Sequence, residues 1–208
     1  MRSHYNLIAG QSIERLAALS DGVFAVALTL LVLDLHTPAA AAIHAEVDLW
    51  HALAPLAPRL LVYMMSFLTL GIFWVGQQTQ LNVFTRADRD LSWLHLAFLF
   101  IVSLMPFSTA LMAEFFHFRV ALVLYWLNIL LLGLALLASW RLAMRHGLVA
   151  EDTRAHSGAI QRRIVVAQLL YAAGALLCVF GTGWSFGFIL LVQLNYALAP
   201  PLLRRLIP

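Results

Sequence analysis

The sequence predicts an all-α membrane protein, and three of its features carry that prediction: the apolar share of the chain, the length of its apolar runs and the alternation of its basic residues. Hydrophobic residues make up 62% of the 208-residue chain and charged residues 11%. A soluble domain is roughly half apolar and about a quarter charged. No soluble fold of this size has interior enough for so much apolar surface.

A helix needs about 20 apolar residues to cross the roughly 30 Å of hydrocarbon in a bilayer. Six segments meet that requirement, at 14–35, 56–79, 91–113, 118–144, 160–181 and 184–204. The first is long enough to span, and no A-x-A-like cleavage site follows a short apolar core, so it is expected to persist as a helix. Between the first and second runs, Thr37 to His51 is Ala-rich and carries Pro38, Glu46 and Asp48, the composition of a solvent-facing loop with a helical turn. The longest polar connection, Arg145 to Ser157, carries His146, Gly147, Glu151, Asp152 and Arg154. Neither connection is long enough to be a domain, so residues 1–208 read as one transmembrane unit.

Orientation follows from the basic residues, which concentrate on the cytoplasmic side. All thirteen are Arg. With the N-terminus inside, Arg2, Arg15, Arg86, Arg89, Arg141, Arg145, Arg154, Arg162, Arg163, Arg204 and Arg205 fall on the inner side and only Arg59 and Arg119 at outer ends, which predicts cytoplasmic N- and C-termini in a cell membrane. Arg scattered between apolar spans does not make the single basic face that nucleic-acid binding requires. The lone Cys178 excludes a disulfide within the chain, and no thiolate metal site or cofactor is expected.

The first run, Arg15 to Leu35, holds most of the chemistry. Arg15, Ser20 and Asp21 stand near its inner end, where an ionisable side chain is costly and faces water or a partner. Arg15 is equally well read as a snorkelling interfacial anchor. At 100° per residue, Val26, Leu30 and Leu33 share one stripe with Thr29 on its edge, and Asp21 points well away from it. Spacing alone fits a lipid-facing or packed stripe at least as well as a pore lining.

The run Arg15, then Leu19-Ser20-Asp21-Gly22-Val23-Phe24-Ala25, then Thr29-Leu30-Leu31-Val32-Leu33-Asp34 resembles the first-helix signature of prokaryotic members of the lysosomal potassium channel family, transmembrane protein 175. The resemblance continues at Ser66, Phe67 and Trp74. It resumes at Asp88, Arg89, Leu91, Trp93 and Leu94, and again over Ser103, Leu104, Met105, Pro106 and Phe107. It implies a homotetramer of six-helix subunits without a reentrant pore loop, surrounding a pore lined by the first helix that passes potassium and other monovalent cations. Val26, Leu30 and Leu33 would form its hydrophobic constriction, Thr29 a polar layer, and Arg15, Ser20, Asp21, Trp74 and Gln77 an inner-end polar network. A constriction of this kind gates by dewetting, because an ion loses its hydration shell there without replacement. Asp34 falls at the implied outer mouth, where four carboxylates would concentrate cations; an ordinary interfacial carboxylate accounts for it equally well.

The sequence departs from the family pattern in four places. Gln77 and Gln78 replace the usual His, Leu19 replaces Phe, and His95 stands where Asn is common. A glutamine amide can still donate to Asp21, but gating by pH through that His is expected to be lost.

Other features carry less. Gly181-Thr182-Gly183-Trp184 lacks the potassium-filter run and falls in a turn, and His36, His44 and His51 lack the i, i+4 spacing of a helical zinc pair. Trp50, Trp93 and Trp184 suit the aromatic belts at the bilayer interfaces. No nucleophile with a neighbouring base is evident, so no enzyme is expected. The expectation is a passive potassium-permeable channel. The alternative is a proton-coupled transporter using Asp21, which the single motif copy and uninterrupted first helix do not favour.

Overall fold

The computed structural model describes residues 12–154 and 157–198. Helix α1 (Ile13–Leu30) starts where the Ser12 hydroxyl accepts the Arg15 backbone N–H at 3.3 Å, and it tightens into a 3₁₀ turn over Leu31–Asp34. Helix α2 (Glu46–Leu53) is capped by the Asp48 carboxylate, which accepts the backbone N–H groups of His44 and Ala45. A 3₁₀ turn over Ala54–Leu56 carries α2 directly into α3 (Ala57–Leu81). The expected solvent loop is therefore helical over its second half, and the second apolar segment runs from Glu46 to Leu81. Pro55 and Pro58 do not break it, because each stands in a first turn whose N–H groups need no helical partner.

The third segment is broken once, between α4 (Arg89–Ser103) and α5 (Met105–Glu114). Pro106 has no N–H to give the Val102 carbonyl, and Leu104 bonds back three residues to Ile101 instead. Asp88 caps α4 by accepting the Leu91 N–H at 2.8 Å. Helix α6 (Arg119–Arg145) is followed by the short α7 (Glu151–Arg154), α8 (Ser157–Leu176) and α9 (Thr182–Leu198). Gly181, at φ 153°, turns α8 into α9, so the Gly-Thr-Gly-Trp run is divided between a turn and a helix start.

Among the described residues, five segments are long and apolar enough to cross a membrane: Ile13–Asp34, Glu46–Leu81, Arg89–Glu114, Arg119–Arg145 and Ser157–Val179. The chain is thus a multi-pass membrane protein. Helix α9 has 17 described residues, about 26 Å at the helical rise, and the expected continuation to residue 204 lies outside the described residues, as do Arg2, Arg204 and Arg205. Helix α6 lies at the centre, packed against α4, α5 and α8, while α1 lies against α3 and α4 and α9 against α3 and α8.

A buried polar network ties the centre together. The Tyr125 hydroxyl meets the Ser66 and Thr69 hydroxyls, each at 3.2 Å; Thr109 donates to Ser66 at 2.8 Å and the Gln193 amide to Thr69 at 2.6 Å. Such bonds hold apolar helices together where lipid supplies no hydrophobic drive.

The ends of α3 and α6 are also joined. Thr85 N–H donates to the Leu148 carbonyl and Ala150 N–H to that of Val83, and His146 pairs with Asp88. Gly147, at φ 66°, ends α6 in a Schellman motif, with Leu148 N–H on the Ala143 carbonyl and Gly147 N–H on that of Met144. Among the described residues no strand forms beyond the isolated antiparallel bridge of Phe84 and Val149.

Candidate functional site

Helix α1 has two unlike faces. Ser20, Phe24, Ala27 and Leu31 are buried against the neighbouring helices, with the Phe24 ring 6.0 Å from that of Phe98. Turned about half a revolution away are Arg15, Leu19, Gly22, Val26, Thr29 and Leu33, all exposed, with Leu30 beside them. Their spacing alternates four and three residues, which keeps side chains on a single line of the helix. Val26 is 57%, Leu30 42% and Leu33 65% exposed, so the stripe that periodicity defined stays largely uncovered among the described residues. The Thr29 hydroxyl donates back to the Ala25 and Val26 carbonyls, both at 2.9 Å, which leaves its oxygen free to accept from outside.

The Asp21 carboxylate leaves this stripe and meets α3. Its Oδ1 accepts the Trp74 indole N–H at 2.8 Å and the Gln78 amide N–H at 2.7 Å. Trp74 and Gln78 are four residues apart and so share one helix line. The expected partner Gln77 is not there. One residue along turns its side chain about 100°, and Gln77 is buried, its Nε2 lying 3.4 Å from the Nε2 of His95.

Two further members of the expected network stand apart from Asp21. The buried Ser20 hydroxyl has no hydrogen-bond partner among the described residues, facing inward on the Phe24 line. Arg15 is exposed, and no side chain among the described residues bonds its guanidinium. The inner-end site thus consists of Asp21, Trp74 and Gln78, with Gln77 and His95 forming a separate buried contact. Only three-dimensional packing distinguishes Gln77 from Gln78, because sequence similarity treats adjacent glutamines alike.

At the other end, Asp34 closes the 3₁₀ turn half-buried, with His36 and Arg59 as its charged neighbours, and its carbonyl lies 3.2 Å from the His36 ring. Arg59 is itself paired with Glu114. The carboxylate therefore leans toward the start of α3, beside the exposed stripe.

Residues 15–106 match the family described as the endosomal/lysosomal potassium channel TMEM175. That stretch contains the exposed face of α1, the Asp21 site and the Gln77–His95 contact. The chain is 39% identical over 130 residues to a potassium channel of Streptomyces collinus, covering 61% of this chain and 62% of that protein. It is 36% identical over 101 residues to a potassium channel of Chamaesiphon minutus, covering 49% of each. It is also 30% identical over 196 residues to the human endosomal/lysosomal proton channel TMEM175, covering 91% of this chain and 37% of that protein. The matched stretches are less than two thirds of the length of these curated relatives. The fold matches the crystal structure of a lysosomal potassium-selective channel TMEM175 homolog from Chamaesiphon minutus with a TM-score of 0.79 at 29% identity, covering 90% of this chain and 97% of that one.

Proposed function

We propose that this chain, whose residues 15–106 match the TMEM175 family, is a potassium-permeable cation channel of that family conducting passively through a pore lined by α1. In this reading six spans make a subunit, four subunits make the pore, and both termini face the cytoplasm of a cell membrane. The observation that carries it is the uncovered line of Arg15, Leu19, Gly22, Val26, Thr29 and Leu33 along a helix whose other face is packed. A line of alternating four- and three-residue spacing suits parallel copies of one helix gathered about an axis.

The residues take roles from their chemistry. Val26, Leu30 and Leu33 form apolar rings that exclude bulk water and so set the barrier to a hydrated ion. Thr29 presents oxygen lone pairs between those rings. Asp34, next to the outer ring, raises the local cation concentration. Asp21, held by Trp74 and Gln78, fixes the rotation of α1 on α3 and therefore which side chains point along the axis.

The test is a planar bilayer containing the purified protein, with potassium on one side and sodium on the other. Discrete currents that reverse toward the potassium equilibrium potential are expected. Silence in the bilayer, with flux appearing only under a proton gradient, would replace this reading with a proton-coupled exchanger. Because animal relatives are named proton channels, the same bilayer under a pH gradient measures whether protons share the path.

A further inference from the structure

A second feature lies away from α1. Helices α3, α6, α8 and α9 enclose an open-sided groove of about 500 Å³, walled by Phe67, Gly71, Ile164 and Ala167 and ending at Arg163 and Tyr196. On α3 it extends from Phe67 to Gln80. From the first to the last of these residues α3 rises about 20 Å, comparable with the ~15 Å apolar depth of one leaflet plus its headgroup layer.

The wall is mostly apolar, with Thr79, Gln80, Gln168 and Tyr171 among its polar members, and its one charged side chain is Arg163. The Arg163 guanidinium lies 5.9 Å from the centre of the Tyr196 ring, a cation–π contact that orients it, and no carboxylate pairs with it among the described residues. Arg162 is exposed beside it. About a third of the way along α3 from the Phe67 end, the position that a Gly71 side chain would take is open, with nothing within 4 Å.

We propose that this groove binds one anionic phospholipid, its phosphate on Arg163 and an acyl chain lying past Ile164 and Ala167 to Gly71. Basic pockets between transmembrane helices on the cytoplasmic side hold anionic headgroups in this way. An apolar channel of leaflet depth ending at an unpaired cation complements both parts of such a lipid, whereas a free phosphate would leave the channel unused. The inference rests on the membrane reading and not on conduction, so either can fail without the other.

Native mass spectrometry of the full-length assembly tests it, after equilibration with dioleoyl phosphatidylglycerol or dioleoyl phosphatidylcholine. The wild type should retain the anionic lipid about fivefold more than the zwitterionic one, the effect of a single interfacial basic residue. Arg163→Gln should bring the two lipids to parity and Arg163→Lys should keep the preference. Gly71→Leu, which fills the groove, should remove both adducts at unchanged assembly mass, and inorganic phosphate should not compete. Equal retention by the wild type, or an unaltered preference in Arg163→Gln, would overturn the proposal. So would a Gly71→Leu protein that dissociates while keeping its lipid, since the groove would then be a contact between copies of the chain.

Discussion

Helices α1 and α6 are alike in composition and opposite in role. Both are apolar enough to span, yet half of the most apolar window of α6 is buried and only 22% of that of α1. Helix α6 buries a broad face that runs from Ala135 and Asn128 through Tyr125 and Leu136 to Gly133, and α1 places one line of residues on the bundle and leaves the opposite line bare. Exposure alone does not make a pore, since the segment Ser157–Val179 is barer still at 17%. What separates α1 is that its bare line includes a threonine and that beside this line Asp21 accepts hydrogen bonds from Trp74 and Gln78.

That contrast can be broken experimentally, beginning where the effect on stability should be largest. Trp140→Ala removes a ring 1% exposed and 6.2 Å from that of Phe84, and should cost about 3–5 kcal/mol, seen as a lower thermal midpoint and poor recovery of assembled protein. Tyr125→Phe keeps the ring but deletes the hydroxyl that joins Ser66 and Thr69, an expected loss of about 1 kcal/mol in the same melt. No shift would mean that the central network contributes nothing net.

On α1 the balance should reverse, with small stability changes and large changes in current. Asp21→Asn keeps an oxygen to accept from Trp74 and Gln78 and should conduct nearly as the wild type does, whereas Asp21→Ala should alter open probability. Gln78→Ala should follow Asp21→Ala part of the way and Gln77→Ala should not, which single-channel recording distinguishes directly. Leu30→Ala should change the melt least, by about 0.5 kcal/mol as at an exposed site, while raising conductance. Unchanged currents in this variant would remove Leu30 from the constriction, and a melt as damaged as that of Trp140→Ala would erase the distinction between the two helices.

The apolar runs and their order were legible in the sequence because span length is fixed by bilayer thickness; four of the five segments found among the described residues fall within a few residues of their expected bounds, while the second begins ten residues early, at Glu46. The common stripe of Val26, Leu30 and Leu33 was legible for an equally local reason, the 100° turn of every helix. The helical course of Glu46–Leu53 was not, because Ala, Glu and Asp suit a solvated loop and a helix start alike. Of the two partners of Asp21, Trp74 was among the residues the family resemblance pointed to, while the other was not legible: the resemblance pointed to Gln77, and the rotation of α3 against α1 presents Gln78.

By itself, then, the sequence determined which segments are apolar enough to span and which residues of α1 share a line, since each depends on neighbours a few positions away. Only the tertiary structure decided that this line is uncovered, that Ser20 faces inward, and that Asp21 is held by Trp74 and Gln78. Those outcomes depend on how far one helix is rotated and shifted against another, which is set by the summed packing of side chains distant in sequence.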